Sequence, residues 1–313
     1  MPIRTRLPII VHHKASLDGH GAFPNSLQAV DACLSACAQV IEIDATALAD
    51  GDYLLVHDYR LESETTGYGL VSACTELSAR ELKVRSPFGS GDRVALLSDV
   101  VSLMVAHGGL SRLQVDLKSV LPFADDEPLR RLIRIITPLG DRVTVSSIAD
   151  WQLRKLRILA PELPLGLDIQ FYLDWRPTAE GDDLDSYPHH RGAYGFLDDH
   201  PLSLRHIWAT ADYLRDRCAV LLGLVPHVQS FYVRHQMLLQ SLEGGFNWAA
   251  ALHQAGVQLD AWTLDADTPN IDAIVRTLIA EGVDMITTNT PVALAARIRS
   301  LVSESGRLND TGS

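Results

Sequence analysis

No run of about 18 apolar residues, the shortest that spans a bilayer as a helix, occurs in this 313-residue sequence, so no stable membrane insertion is expected. The N-terminus, MPIRTRLPIIVHHKAS, passes from a basic start through only five apolar residues before two histidines. That is too short for the apolar centre of a signal peptide, so the segment reads as a first strand and the protein as cytoplasmic. Cysteine is scarce: Cys33, Cys37, Cys74 and Cys218 have neither zinc-ribbon nor disulfide-framework spacing. Cys33 and Cys37, one helical turn apart, read as packing residues on a buried face. Positive charge is also short. Against 39 Asp plus Glu stand 27 Lys plus Arg, a net charge of −12, which opposes general binding to nucleic acid or to anionic lipid surfaces. A small anionic substrate then needs a locally basic pocket. No Gly-rich phosphate turn follows the first strand, which argues against a doubly wound nucleotide fold.

What the sequence does contain is alternation. LPIIV (7–11) precedes SLQAVDACLSACA, with Leu27, Val30, Leu34 and Cys37 at helical spacing, and then come the apolar runs VIEID and YLLVH. Further strands are expected at SRLQVDL (111–117), RVTVSS (142–147), LPLGLDI (163–169), SFYVR (230–234), VQLDAWTL (257–264) and VDMITTN (283–289). LSDVVSLMVAHG, IADWQLRKLRILAP, NWAAALHQAG and NIDAIVRTLIAEG read as the helices between them, several closed by Gly or Pro. Strand then helix, about eight times over, predicts a parallel sheet with crossover helices. With 47% hydrophobic content, a closed (β/α)8 TIM barrel over residues 1–300 suits both the count and the length.

The regularity breaks between about residues 170 and 229, where DWRPTAEGDDLDSYPHHRGAYGF mixes Pro, Gly and charge. After a barrel strand such an insertion is expected near the mouth, as a surface elaboration or as a substrate lid using His189, His190 or Arg191. Residues 301–313 are expected to be a flexible tail.

The segment VIEIDATALADGDYLLVHDYRL (40–61) places Glu42 and Asp44 two apart within an apolar run. In a strand they share one face while Ile41, Ile43 and Ala45 share the other, so in a barrel both carboxylates point inward near the strand's C-terminal end. Two adjacent buried carboxylates repel and call for a cation; all-oxygen donors favour Mg²⁺ or Ca²⁺. LQVDLK repeats the device, with Gln114, Asp116 and Lys118 on one face. Read alone, Asp116 and Lys118 are equally well one structural ion pair. His57 ends the run after the Asp50-Gly51 turn, and lies at the same end if YLLVH folds back beside VIEID. His12 and His13 close the first strand. Two imidazoles beside a carboxylate-held cation suit cleavage of a phosphoryl ester, one taking a proton from the nucleophile and the other protonating the leaving oxygen.

These residues resemble the glycerophosphodiester phosphodiesterase family of TIM barrels. Its pattern is an apolar strand ending His-Arg-Gly, a Pro-Glu-Asn-Thr helix start, Glu-x-Asp, Asp-Gly, His-Asp and a later acid-x-Lys strand. IIVHHKAS, FPNSLQAV, IEIDATALADGDYLLVHD and LQVDLK are the matches. The resemblance implies that Glu42, Asp44 and Asp116 hold one divalent cation, Mg²⁺ or Ca²⁺, and that His57 and a strand-one histidine are the acid/base pair. It implies phosphate contacts from Lys118 and from the basic residue after the first histidine, and a pocket wall from Trp262. Where the family has His-Arg-Gly, this chain has His12-His13-Lys14-Ala15. Taking His13 as catalytic leaves Lys14 in the arginine place and Ala15 in the glycine place; His12 is the alternative. Lys14 lacks the bidentate fork of arginine. Phe23-Pro24-Asn25-Ser26 lacks the Glu but keeps capping side chains, and Asp116 stands where Glu is more usual. The implied reaction is hydrolysis of a small glycerophosphodiester to glycerol 3-phosphate and an alcohol. A cyclising phospholipase or lyase acting on lysolipid or sphingolipid head groups, and a barrel that binds phosphodiesters without turnover, are the alternatives.

Overall fold

The computed structural model describes residues 7–86, 89–175 and 192–310. Eight parallel strands carry the fold: β1 (Ile9–His12), β2 (Val40–Ala47), β3 (Arg112–Leu117), β4 (Val143–Ser147), β5 (Leu165–Asp168), β6 (Ser230–Arg234), β7 (Gln258–Trp262) and β8 (Met285–Thr288). They are ordered β1-β8-β7-β6-β5-β4-β3-β2, and β1 also pairs with β2, which closes the sheet. With a crossover helix between successive strands, this is the (β/α)8 barrel expected from the alternation. The chain forms two compact units, Val11–Leu167 and Met1–Ile10 with Asp168–Ser313.

In the first unit every residue of β2 is buried. Ile41, Ile43 and Ala45 have no exposed surface and belong to the apolar core with Val115, Leu117 and Val145; Glu42, Asp44 and Thr46, on the alternate face, are buried polar groups. β2 and β3 run in register over six residues, which sets Glu42 beside Gln114 and Asp44 beside Asp116. The helix Leu27–Ser35 starts at Ser26, whose Oγ accepts the Ala29 N–H at 3.1 Å. Cys33 is buried as expected, but Cys37 is exposed: the helix has ended at Ser35 and the backbone turns left-handed at Cys37, taking its side chain off the packed face.

Between β2 and β3 the chain makes an excursion with a small core of its own, built from Leu48, Leu54, Val56, Leu61, Val71, Ala79, Val94 and Leu96. The run YLLVH forms ladder pairs only over Tyr53–Leu54, antiparallel to the end of β2. Beyond Leu54 the backbone finds other partners: Leu55 N–H donates to Ala95 O at 3.0 Å, and Val56 O accepts from the Thr46 hydroxyl at 2.9 Å. The Asp50-Gly51 turn that starts this return needs glycine, because a Cβ at Gly51 (φ 59°) would fall 2.0 Å from the Glu76 carboxylate.

In the second unit β6, β7 and β8 are parallel, with Tyr232 beside Asp260 and Arg234 beside Trp262. The irregular stretch expected at about 170–229 includes the fifth crossover helix, Thr210–Leu222, as well as a two-residue antiparallel pair, Leu173–Asp174 with Leu197–Asp198. Arg217 of that helix, 2% exposed, donates to Tyr172 O at 2.9 Å and Asp199 at 2.7 Å, and lies 3.2 Å from Asp198. The Tyr213 hydroxyl donates to Asp198 at 2.5 Å and its ring stacks on Tyr194. His189, His190 and Arg191 lie outside the described residues. The last helix runs Pro291–Asp310, into the segment expected as a tail, because Leu301 extends the buried stripe of Leu294 and Ile298. Among the described residues no helix is long and apolar enough to cross a membrane.

Asp260 on β7 has no exposed surface and accepts the Thr287 hydroxyl at 3.0 Å through Oδ2, while Oδ1 has no hydrogen bond. Burial, only partly offset by Thr287, pushes its carboxyl up to about 7. Because the folded state holds this proton more tightly than an unfolded Asp (about 3.9) does, the carboxyl favours folding fully below about pH 4. That contribution is lost as pH rises to about 7. Asp260→Asn should therefore flatten the fall in stability between about pH 4 and 7 and raise stability at pH 8 by a few kcal/mol. Urea unfolding at several pH values checks this; parallel pH profiles for the two proteins would contradict it.

Candidate active site

The carboxylates of Glu42, Asp44 and Asp116 converge where β2 and β3 run side by side, each with an oxygen within 4.8 Å of the others. Register puts Asp44 directly beside Asp116, a like-charge pair that opposes sheet formation unless compensated. Lys118 compensates it. Its Nζ lies 2.5 Å from Asp116 Oδ2 and 3.2 Å from Asp44 Oδ1. Burial works against the ammonium charge, but Asp116, Asp44 and Glu42 together hold Lys118 well above the usual amine range. Lys14 supplies a second ammonium, 3.3 Å from Asp44 Oδ2. Burial likewise opposes ionisation of Asp44, and Lys118 and Lys14 outweigh it, keeping that carboxyl well below the usual range.

Glu42 is treated differently. Its Oε2 accepts the Lys14 backbone N–H at 2.6 Å. Burial, with Asp44 and Asp116 close by, pushes its carboxyl well above the usual range. Ionising all three acids would give the cluster one more negative charge than its two lysines offset, which adds to burial in making the Glu42 carboxyl hold its proton more tightly than usual. Asp44 Oδ1, though within ion-pair reach of Lys118, is buried without a hydrogen bond. A set of hard oxygen donors, one of them unsatisfied and one destabilised as an anion, fits a divalent cation.

Asn25 frames Asp44 on two sides: its Nδ2 donates to Asp44 Oδ2 at 2.9 Å and its Oδ1 accepts the Asp44 N–H at 3.1 Å. It does so from a left-handed backbone (φ 56°), a region Asn tolerates better than most residues. The sequence marks Asn25 and Ser26 together as helix-capping residues; Ser26 alone caps, and Asn25 clamps the site. Ser146 of β4 donates to Asp116 Oδ1 at 3.2 Å and receives Gln114 Nε2 at 3.4 Å. Neither role is legible in the sequence, since both depend on which strands become neighbours.

After β1 the chain tightens into a 3-10 turn, His13–Ala15, with Lys14 (φ 52°) and Ala15 (φ 55°) both left-handed. The glycine place of the motif thus falls on strained backbone whether Lys14 or Ala15 fills it. His12 ends β1, 8% exposed, with Nδ1 2.9 Å from Ser16 O and 3.5 Å from Cys33 Sγ. Donation to a carbonyl places the neutral ring's proton on Nδ1, leaving Nε2 as the basic nitrogen. Burial lowers its pKa, partly opposed by Ser16. His13 is half-buried. His57 is 48% exposed, its Nδ1 2.9 Å from Asp58 Oδ1 and its backbone N–H donating to Glu64 at 2.6 Å. It follows the short return Tyr53–Leu54, which pairs antiparallel with Thr46–Ala47 of β2. Trp262 ends β7 in the second unit, where the Arg234 guanidinium lies 4.4 Å from its ring centre. Arg234 is itself held by Asp174 at 3.1–3.2 Å.

Residues 18–293 match the model of the glycerophosphoryl diester phosphodiesterase family. The chain belongs to this family. It is 26% identical over 162 residues to a glycerophosphodiester phosphodiesterase of Caldanaerobacter subterraneus subsp. tengcongensis, covering 51% of this chain and 65% of that protein, just under two thirds of its length. To a probable glycerophosphodiester phosphodiesterase 1 of Mycobacterium tuberculosis it is 30% identical over 194 residues, 56% of this chain and 70% of the relative. Among solved structures, a putative glycerophosphodiester phosphodiesterase from Galdieria sulphuraria superposes with a TM-score of 0.65 at 15% identity, covering 94% of this chain and 98% of the other. A phosphodiesterase from Oleispira antarctica, solved with the product sn-glycerol-3-phosphate, superposes with a TM-score of 0.61 at 16% identity over 95% and 97% of the two chains. The family is one of phosphoric diester hydrolases.

Asn25→Ala removes both bonds to Asp44 and leaves a buried N–H without a partner, so it should destabilise the protein by about 1–3 kcal/mol. Asn25→Gly, which suits the left-handed backbone but restores neither bond, should recover only a minor part. Chemical denaturation of both variants checks this; wild-type stability for Asn25→Ala would show that the clamp contributes nothing.

Proposed function

We propose that the protein hydrolyses a small glycerophosphodiester to sn-glycerol 3-phosphate and an alcohol, using one divalent cation, Mg²⁺ or Ca²⁺, held by Glu42, Asp44 and Asp116. The observation that supports this most is the buried three-carboxylate cluster with an unsatisfied Asp44 oxygen beside two lysines. When bound, the cation withdraws electron density from a phosphoryl oxygen and offsets its charge.

The chain's own groups carry the proton transfers. One imidazole takes a proton from the attacking water as the water oxygen bonds to phosphorus. The other gives a proton to the alcohol oxygen as its bond to phosphorus breaks. His57 is one member of the pair. The other comes from the end of β1: motif order favours His13, while His12 has its tautomer set by Ser16 and is kept neutral by burial. Lys14 and Lys118 offset charge on the phosphoryl group. The glycerol 3-phosphate found in the Oleispira antarctica structure has the chemistry of the product half in this reading.

Release of glycerol 3-phosphate from glycerophosphocholine and glycerophosphoethanolamine, with Mg²⁺, Ca²⁺ or EDTA, tests the proposal. EDTA, Glu42→Ala and Asp44→Ala should each abolish turnover with the fold intact by circular dichroism. His57→Ala should cost about 10²-fold or more, and whichever of His12→Ala and His13→Ala costs as much names its partner. Full activity in EDTA or in Glu42→Ala would remove the metal assignment; a cyclic phosphate as end product would replace water with a substrate hydroxyl as nucleophile.

A further inference from the structure

We propose that Lys14 is a tethered competitor of the divalent cation, an ammonium that must leave Asp44 for the metal to bind there; the inference rests on the metal reading above and adds a residue that sets the site's affinity. Both oxygens of the buried Asp44 face an ammonium: Lys14 at 3.3 Å from Oδ2 and Lys118 at 3.2 Å from Oδ1. No oxygen of this ligand is free of a positive neighbour, so a metal ion bound there meets like charge at close range.

The two lysines are not equivalent. Lys118 bridges two carboxylates, with Asp116 only 2.5 Å away, and its backbone N–H is tied to Ala45 O at 2.9 Å. Removing it would leave Asp44 and Asp116 in direct repulsion across the register. Lys14 meets one carboxylate, whose Oδ2 also has Asn25 as a donor. Its main chain is fixed, N–H on Glu42 at 2.6 Å and carbonyl receiving Asn25 N–H at 2.8 Å. Its side chain is 23% exposed, with a route to water on one side. A long flexible stem on a pinned Cα lets the ammonium withdraw without moving the backbone. Lys14 therefore acts as a built-in counter-ion that offsets the acids and lowers the apparent affinity of the site for divalent metal.

Isothermal titration of the full chain with Mn²⁺ alone and with Mg²⁺ alone separates the possibilities. The variants are Lys14→Gly, Lys14→Arg and Glu42→Gln. Glycine is the natural test because the backbone at 14 is left-handed (φ 52°), so the substitution removes the ammonium while relieving strain. Lys14→Gly should tighten metal binding by roughly tenfold or more, a size that an ammonium at this separation allows at an effective dielectric of about 20. Lys14→Arg, which keeps the charge, should stay close to wild type, and Glu42→Gln should weaken binding. The thermal midpoint of Lys14→Gly should also rise further than that of wild type on adding Mn²⁺. Equal or weaker affinity in Lys14→Gly, with Glu42→Gln still impaired, would overturn the competitor role and leave the metal site standing. Absence of metal binding in all four proteins would overturn both.

Discussion

Like charge crowded between two neighbouring strands is the constraint to which the rest of the site answers. Parallel register sets Asp44 beside Asp116, with Glu42 one pleat below on the same face of β2, all at or near zero exposure except Asp116. An arrangement of this kind works against folding unless opposite charge and hydrogen bonds surround it. Around the cluster stand Lys118, Lys14, Asn25, the Lys14 backbone N–H and Ser146, contributed by four separate stretches of chain. Each offsets the charge of one of the acids or satisfies one of their oxygens.

Strain concentrates at the same spot. Lys14, Ala15 and Asn25 are non-glycine residues in the left-handed region, within a dozen positions of one another. The turn at 13–15 aims a backbone N–H at Glu42, and the turn at 25 lets one side chain hold both the N–H and a carboxylate oxygen of Asp44. Strained backbone persists where the surroundings over-determine it, and here those surroundings are buried carboxylates that need donors. The apolar face of β2 supplies the rigidity against which this strain is held, since Ile41, Ile43 and Ala45 are wholly buried.

The excursion between β2 and β3 has a comparable logic. It carries its own apolar core and returns antiparallel to β2 for only two residues. That short pairing is enough to bring the chain back along β2, and the exposed His57 follows three residues later, tied to Glu64 through its backbone and to Asp58 through its ring. His57 is thus fixed at the main chain while its ring stays open to solvent, as the proposed proton transfer requires.

Much of this was written in local pattern. The eight-fold alternation gives the barrel, and period-two spacing gives the inward set of Glu42, Asp44, Asp116 and Lys118, because strand geometry fixes which residues share a face whatever the neighbours. Glu42, Asp44 and Asp116 do meet, and the family follows from the same motifs. What the sequence could not supply depends on partners distant in the chain. Asn25 looked like a helix cap because its local context is a helix start; only the docking of that turn against β2, 19 residues away in sequence, makes it the clamp on Asp44. Cys37 looked buried by helical spacing, but the helix stops two residues earlier. YLLVH has the composition of a full strand, but beyond Leu54 its backbone donors find acceptors outside a ladder, Leu55 N–H on Ala95 O, Val56 N–H on Leu54 O and His57 N–H on Glu64. Nor could spacing show that Lys14 reaches Asp44 or that Arg234 covers Trp262, for these contacts are made across turns and between strands. Sequence determined the architecture and the identity of the acids, since both rest on periodicity; tertiary structure decided which donors and cations surround those acids, since that rests on which distant segments are brought face to face.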